Sequence, residues 1–249
     1  MAAKLAGKPT ILLLRPPDSQ PGPLAEIGYV AHIPIVEVVA RSGAVEEVAR
    51  LLGGCDWIVF TSPRAPRFLA KLLPEIRRLQ EQGRLHVAVV GPRTANVLSE
   101  AGLRVDLVPG EYRGKAVAEE LRRRNPRCVL IPRSAAAEHN DFMLLQSMGV
   151  EVRIVHLYTA KPVERLARIA ASIADEFDYV VFTSPSIVQT LARHYNGSYK
   201  FTAAVIGPTT LAALKESKLA RARTIVAEKY TMDGLAEAIR RDWGKRAGL

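Results

Sequence analysis

Two short motifs occur twice in this 249-residue chain, and both end in residue types that receive anions. Asp56-Trp-Ile-Val-Phe-Thr-Ser-Pro63 returns as Asp178-Tyr-Val-Val-Phe-Thr-Ser-Pro185, 122 residues later. Ala88-Val-Val-Gly-Pro-Arg-Thr94 returns as Ala204-Val-Ile-Gly-Pro-Thr-Thr210, 116 residues later. In each copy an apolar run stops at a Ser-Pro or Gly-Pro step. Ser62 and Ser184 read as helix N-caps, and Pro63, Pro185, Pro92 and Pro208 as first helical residues. Gly91 and Gly207 read as points where the chain turns sharply and a ligand approaches the backbone. A helix start of this kind offers unpaired N–H groups and the positive end of the dipole, which suit phosphate and carboxylate alike. Arg15, Arg64, Arg93 and Arg133 fall at predicted strand ends or turns, where guanidinium pairs with the same anions. Singly, each of these residues reads equally well as a cap or a surface ion pair. The two turns recurring in the same order in both halves carry more weight, and they predict an anion-receptive edge in each half, the two facing across one cleft.

The elements that must position these turns alternate strand and helix. Strands are predicted at Ile11–Leu14, Ile33–Val39, Trp57–Phe60, Val87–Val90 and Val105–Val108 in the first copy. In the second they are predicted at Val129–Ile131, Val152–Leu157, Tyr179–Phe182, Ala203–Ile206 and Thr224–Val226. Most are continuous Val, Ile and Leu, the mark of strands buried on both faces of a parallel sheet. Helices are predicted between them, among others at Ala65–Leu73, Thr94–Glu100, Lys115–Arg124, Ser186–His194, Thr209–Lys215 and Met232–Arg241. The alternation predicts doubly wound α/β sheets with right-handed crossovers, and a repeat near half the chain length means a duplicated domain.

Composition narrows the chemistry. The chain carries a net charge of +10, with 48% hydrophobic and 24% charged residues, which excludes a disordered chain and favours an anionic partner. Aromatic residues make up 6% and do not interleave with Arg77-Arg78, Arg122-Arg123-Arg124 or Arg240-Arg241, which read as solvated helix faces and weigh against nucleic acid. Cys55 and Cys128 fit no metal spacing and are too few for a disulfide scaffold, so they read as small buried hydrophobes in a reducing cytosol. No apolar run approaches the ~20 residues of a membrane span, and Ile11–Leu14 is too short for a signal peptide; a soluble cytoplasmic protein is expected. Dinucleotide, P-loop, nucleophile-elbow and zincin motifs are absent. The five histidines (32, 86, 139, 156, 194) are scattered, Glu138-His139 being the one adjacent acid–His pair, and Asn196-Gly-Ser198 reads as a turn. An enzyme of this composition is expected to work with no metal and no organic cofactor. No stripe demands a partner, so a monomer is expected.

The ordered set of motifs resembles the uroporphyrinogen-III synthase family. Val-Phe-Thr-Ser-Pro (59–63, 181–185), Val-Gly-Pro-Arg-Thr (90–94) and Ile-Gly-Pro-Thr-Thr (206–210) carry the likeness. So do Ala101-Gly-Leu-Arg-Val-Asp-Leu-Val-Pro109, Leu157-Tyr-Thr159 and Thr231-Met-Asp-Gly-Leu235. At residues 131–135 this chain reads Ile-Pro-Arg-Ser-Ala where the family often shows Pro-Arg-Gly, which puts a glycine-dependent backbone contact there in doubt. The resemblance implies two flavodoxin-like domains joined by a two-stranded connector, one formed by residues 1–35 and 160–249, the other by 38–157. Extended connectors near Ile35–Val39 and His156–Ala160 would act as the hinge. The implied reaction is loss of water from hydroxymethylbilane and ring closure with inversion of the terminal pyrrole, through an azafulvene and a spiro-pyrrolenine, in heme biosynthesis. Tyr158 matches the family's tyrosine and would donate to the departing hydroxyl as a general acid. Arg15, Ser62, Gly91, Arg93, Thr94, Arg133, Ser184, Ser186, Gly207, Pro208, Thr209 and Thr210 would hold the substrate's carboxylates. A non-enzymatic two-lobed sensor for a small polyanion is the alternative that the same turns allow.

Overall fold

In the computed structural model, which describes residues 7–137 and 140–247, the strand predicted over Ile33–Val39 begins only at Val36, and Tyr29–His32 before it forms a separate strand. Pro34 has no N–H to give to a sheet, and it separates two strands. In chain order, β1 (Thr10–Leu13), α1 (Leu24–Ile27) and β2 (Tyr29–His32) precede β3 (Val36–Ala40). Then come α2 (Ala44–Leu52), β4 (Trp57–Phe60), α3 (Arg64–Phe68), α4 (Leu73–Glu81), β5 (His86–Val89), α5 (Pro92–Glu100) and α6 (Gly114–Arg122). β6 (Cys128–Ser134), α7 (Met143–Ser147) and β7 (Glu151–Pro162) follow. The chain ends with α8 (Glu164–Ile173), β8 (Tyr179–Phe182), α9 (Pro185–His194), β9 (Thr202–Val205), α10 (Pro208–Lys215), β10 (Arg223–Val226) and α11 (Met232–Ala247).

The chain divides into two compact units, residues 1–38 with 160–249, and residues 39–159. β3 and β7, neighbours in the second sheet, carry the chain out of the first unit and back. The first sheet has the order β10-β9-β8-β1-β2, with every neighbouring pair parallel. Numbered along this unit, that is the 2-1-3-4-5 order of the flavodoxin-like doubly wound fold. The second sheet has the order β3-β7-β6-β4-β5. The repeated motifs equate β4 with β8 and β5 with β9, and the fainter echoes equate β6 with β1 and β7 with β2. The second unit is therefore a circular permutation of the first, and each unit takes strands from both copies of the repeat.

Alternation along the strands builds two apolar layers in the first unit. Leu12, Val180, Phe182, Ala203 and Val205 pack with α8, α9 and α10 on one face, and Ile11, Leu13, Tyr179, Val181 and Ala204 with α1 and α11 on the other. Each fully buried aliphatic side chain contributes about 1.5–3 kcal/mol. The Asp that opens the first motif is structural in both copies. The Asp56 carboxylate accepts the amide protons of Arg127 (3.0 Å) and Cys128 (2.7 Å), at the start of β6. The Asp178 carboxylate accepts the amide (2.9 Å) and hydroxyl (2.8 Å) of Thr10, at the start of β1.

Four expectations need correction. Val105–Val108 is not a strand but a single bridge from Leu107 to Ala88, because the Asp106 side chain takes the Val87 amide (2.8 Å). The helix predicted over Ala65–Leu73 is broken into α3, a 3₁₀ turn at Ala70–Leu72 and the start of α4, where Pro74 has no N–H to continue the ladder. Cys55 and Cys128 are buried as expected but form a disulfide; the pairing of β4 with β6 brings their Cα atoms to 4.5 Å. Neither serine of the repeated turns caps its helix, as described below. Asn196-Gly-Ser198 bends the chain at Gly197, its Ser198 amide donating to Asp175 (2.6 Å). Glu138 and His139 lie outside the described residues. No helix among the described residues is long and apolar enough to cross a membrane.

Candidate functional site

In an open α/β sheet a ligand lies beyond the carboxyl ends of the strands, where the strand order reverses. In the second unit that point lies between β4 and β6. Ser62 follows β4, Arg133 stands near the end of β6, and Tyr158 lies on β7, whose register pairs it with Ser134. Tyr158 is only 6% exposed, and its ring stacks on Phe68 at 5.2 Å. Its hydroxyl lies 2.6 Å from Ser62 Oγ, and either oxygen can donate.

Arg133 is the electrostatic centre of this corner. Its side chain is 4% exposed, 3.6 Å from the Asp141 carboxylate and 5.9 Å from the centroid of the Phe142 ring. Its Nε and Nη1 are buried and make no hydrogen bond with any described residue. Buried guanidinium donors without acceptors are costly, and a carboxylate is the group that satisfies them bidentately. Asp141 also stands over the first residue of α6: a Cβ on Gly114 would lie 2.4 Å from its Oδ2. A carboxylate of the chain itself thus occupies a helix start in this corner.

In the first unit the strand order reverses between β1 and β8. Arg15 follows β1, and its carbonyl accepts a hydrogen bond from His32 Nε2 at 2.9 Å. Ser184 and Ser186 follow β8, and their hydroxyl oxygens lie 2.9 Å apart. Ser184 occupies the N-cap position of α9 with Pro185 at N1, but its hydroxyl goes to Ser186 and not to a helix amide. In the second unit Pro63 takes the N-cap position of α3, and Ser62 pairs with Tyr158 instead. The helices after Gly91 and Gly207 likewise begin with no side-chain cap.

Turn geometry requires neither glycine, and close packing bears only on Gly207. Gly91 and Gly207 have φ of −162° and 179°, extended values open to any residue. Each lies beneath a tyrosine. A Cβ on Gly91 would sit 3.5 Å from Tyr112, and one on Gly207 would sit 3.2 Å from the Tyr230 ring. Beyond the glycines, Arg93, Pro208 and Thr209 are exposed in the first helical turns, whereas Thr94 and Thr210 are buried. Tyr112, Tyr230 and Asp141 were not expected at the site. An internal match was available for the tyrosines, since Glu111-Tyr112 and Lys229-Tyr230 stand 118 residues apart. Thr231, by contrast, is a helix cap: its Oγ1 accepts the Gly234 amide at 3.1 Å.

The most shifted groups lie away from this edge. Burial and a hydrogen bond to Asp242 (2.7 Å) push the Tyr179 phenol far above its ordinary range. The hydrogen bond from Arg223 holds Asp242 below its ordinary value against the opposing effect of burial. These groups fasten α11 to the amino end of the first sheet. A groove of about 660 Å³ beside α11 and β10 is lined by Arg240 and Arg241, which are already paired with Glu237 and Glu228.

Comparison with known proteins bears on this geometry. Residues 25–237 match the family model described as uroporphyrinogen-III synthase HemD. A putative uroporphyrinogen-III synthase of Methanothermobacter thermautotrophicus is 32% identical over 216 residues, covering 80% of this chain and 83% of the relative. The uroporphyrinogen-III synthase of Synechococcus elongatus is 27% identical over 237 residues, covering 87% of each. Among solved structures, the uroporphyrinogen-III synthetase of Helicobacter pylori superposes with a TM-score of 0.59 at 15% identity, covering 93% of this chain and 97% of that one. A mutant uroporphyrinogen III synthase of Thermus thermophilus gives 0.59 at 16% identity, covering 95% and 99%. At these identities the structural likeness establishes the fold.

Proposed function

This chain belongs to the uroporphyrinogen-III synthase family, and from that premise we propose that its carboxyl-edge corners carry out the family's cyclisation of hydroxymethylbilane. The substrate bears an acetate and a propionate on each pyrrole, so it offers the anions these corners receive. The observation that carries the reading is Arg133, a buried cation whose Nε and Nη1 have no acceptor among the described residues. In the second unit Arg133 takes a substrate carboxylate, and Tyr158 donates to the hydroxyl that leaves. In the first unit Arg15, Ser184, Ser186, Thr209 and the amides after Gly207 take further carboxylates. In the second, the exposed Arg93 and the amides after Gly91 do the same.

Three demands of the reaction map onto these residues. The C–O bond to the hydroxymethyl carbon breaks as Tyr158 gives its proton to the departing water, and Ser62, 2.6 Å away, is placed to return one. The terminal pyrrole then attacks the azafulvene through its substituted carbon to give the spiro-pyrrolenine; the older bond from that carbon to its methylene bridge breaks, the ring's free α-carbon attacks the methylene so released and loses its proton, and the overall change is loss of one water. Attack at the substituted carbon is a matter of holding the chain curled, which fixed carboxylate contacts accomplish without a reactive side chain. The reaction takes place in the cytoplasm on a free small molecule, with the chain acting as a monomer.

The test is the isomer formed. Hydroxymethylbilane left alone closes to the I isomer. Incubated with this protein, then oxidised and resolved by chromatography, it gives predominantly the III isomer. Binding of the tetrapyrrole with only the I isomer formed identifies a sensor instead.

A further inference from the structure

Large aromatic side chains on a protein surface bury themselves where they can, yet three of this chain's seven tyrosines are exposed: Tyr29 at 46%, and two others over more than half of their surface. Tyr112 is 62% exposed and Tyr230 is 65% exposed. They occupy the same place in the two copies. Each stands just before the helix that follows the fifth strand position, α6 for Tyr112 and α11 for Tyr230. Each lies against the glycine that heads a Gly-Pro helix, α5 or α10. The residues beside them differ between copies in sign and size: Glu111 against Lys229, and Arg113 against Thr231. The ring is what the duplication has in common. Its inner side covers a glycine, and more than half of its surface stays in solvent.

We propose that Tyr112 and Tyr230 are ring platforms, each taking the flat face of one pyrrole of the tetrapyrrole substrate at the carboxyl edge of its own unit. This inference rests on the proposed function and names how the rings, rather than the carboxylates, are held. An electron-rich heteroaromatic ring stacks offset on a phenol ring at little entropic cost, since a tyrosine has two side-chain torsions to fix. At Gly207 the glycine sets the height of the platform, since an added Cβ would press on the ring at 3.2 Å, whereas one on Gly91 would make ordinary contact at 3.5 Å. A platform of this kind binds ground state and transition state alike, so its removal appears in KM and leaves kcat. The phenol hydroxyl is not required.

The experiment compares Tyr112→Leu, Tyr230→Leu and their Phe counterparts in steady-state formation of the III isomer from hydroxymethylbilane, with thermal unfolding of each variant. Each Leu variant is expected to raise KM by about fivefold with kcat and Tm near wild type, from the ordinary worth of one aromatic contact. The double Leu variant raises it by about 25-fold if the two sites act independently. The Phe variants behave as wild type. Unchanged KM in the Leu variants overturns the inference, as do Phe variants impaired as much as Leu, or a lowered Tm with no change in KM. A wild-type protein that forms no III isomer defeats the proposed function itself, a result distinct from all of these.

Discussion

The hydroxyl of Tyr158 and Oγ of Ser62 are 2.6 Å apart, joining residues 96 positions apart in sequence at the carboxyl edge of one sheet. The contact links a repeated turn to the strand that leads out of the second unit, and in the proposed function the two groups act as one proton-bearing pair. Replacement of Ser62 by Ala is expected to lower kcat about tenfold, as the loss of an orienting hydrogen bond does. The double change of Ser62 and Tyr158 costs no more than Tyr158→Phe alone, because the serine acts through the tyrosine. A double-mutant cycle on kcat checks this, and additive losses contradict it.

Arg133 separates binding from stability. Its buried Nε and Nη1 lack acceptors among the described residues, a desolvation cost that a ligand would relieve. Arg133→Met is expected to leave Tm unchanged or higher, as replacing buried charge with apolar volume often does. The same change raises KM for hydroxymethylbilane by about tenfold to a hundredfold, the worth of one or two charge-assisted hydrogen bonds. Calorimetry and steady-state kinetics on one preparation read both effects. A strong fall in Tm with KM unchanged would make Arg133 purely structural.

The first unit is expected to be the acid-sensitive one. Arg223 holds the Asp242 carboxyl below its ordinary value, and Asp175 is also lowered, since hydrogen bonds from Tyr195, Ser198 and Lys200 outweigh its burial. A carboxylate depressed in the folded state adds stability above its unfolded pKa of about 3.9, and that stability is lost as pH falls through the lower folded value. Asp242→Asn should cost about 1–3 kcal/mol at neutral pH and flatten the acid limb. The chain has two tryptophans, Trp57 in the second unit and Trp243 in the first. A Trp57→Phe variant therefore reports the first unit alone by fluorescence during acid titration.

The Cys55–Cys128 disulfide closes a loop across 73 positions within the second unit. In the chain-entropy account such a cross-link adds about 4 kcal/mol. Thiol titration of the unfolded, unreduced protein is expected to find no free thiol, and two after reduction, since the chain has two cysteines. Reduction should lower the unfolding transition reported by Trp57 and leave that of Trp243. Two thiols before reduction contradict the pairing.

Much of the fold was legible because burial on both faces leaves an unbroken apolar signature, as at Trp57–Phe60 and Tyr179–Phe182, where predicted and observed bounds coincide. The losses came where side chains stand in for backbone. Asp106 captures the Val87 amide and reduces a predicted strand to one bridge, and beyond Pro34 another starts only at Val36. Ser62 and Ser184 looked like caps because their sequence context is a cap's, and only three-dimensional placement turns their hydroxyls to Tyr158 and Ser186. The disulfide was hidden for a related reason. Nothing in the spacing of Cys55 and Cys128 foretells that β4 and β6 lie side by side. Tyr112 and Tyr230 were visible as a repeat, but their exposure was not.

The most direct test is the single-turnover rate of isomer III formation by Tyr158→Phe. The substitution keeps the ring on Phe68 and removes only the hydroxyl. A fall in rate of about 10²–10⁴, with KM and Tm close to wild type, is the predicted result for loss of a general acid. A rate equal to that of the unaltered protein would contradict the assignment of the leaving-group proton to Tyr158.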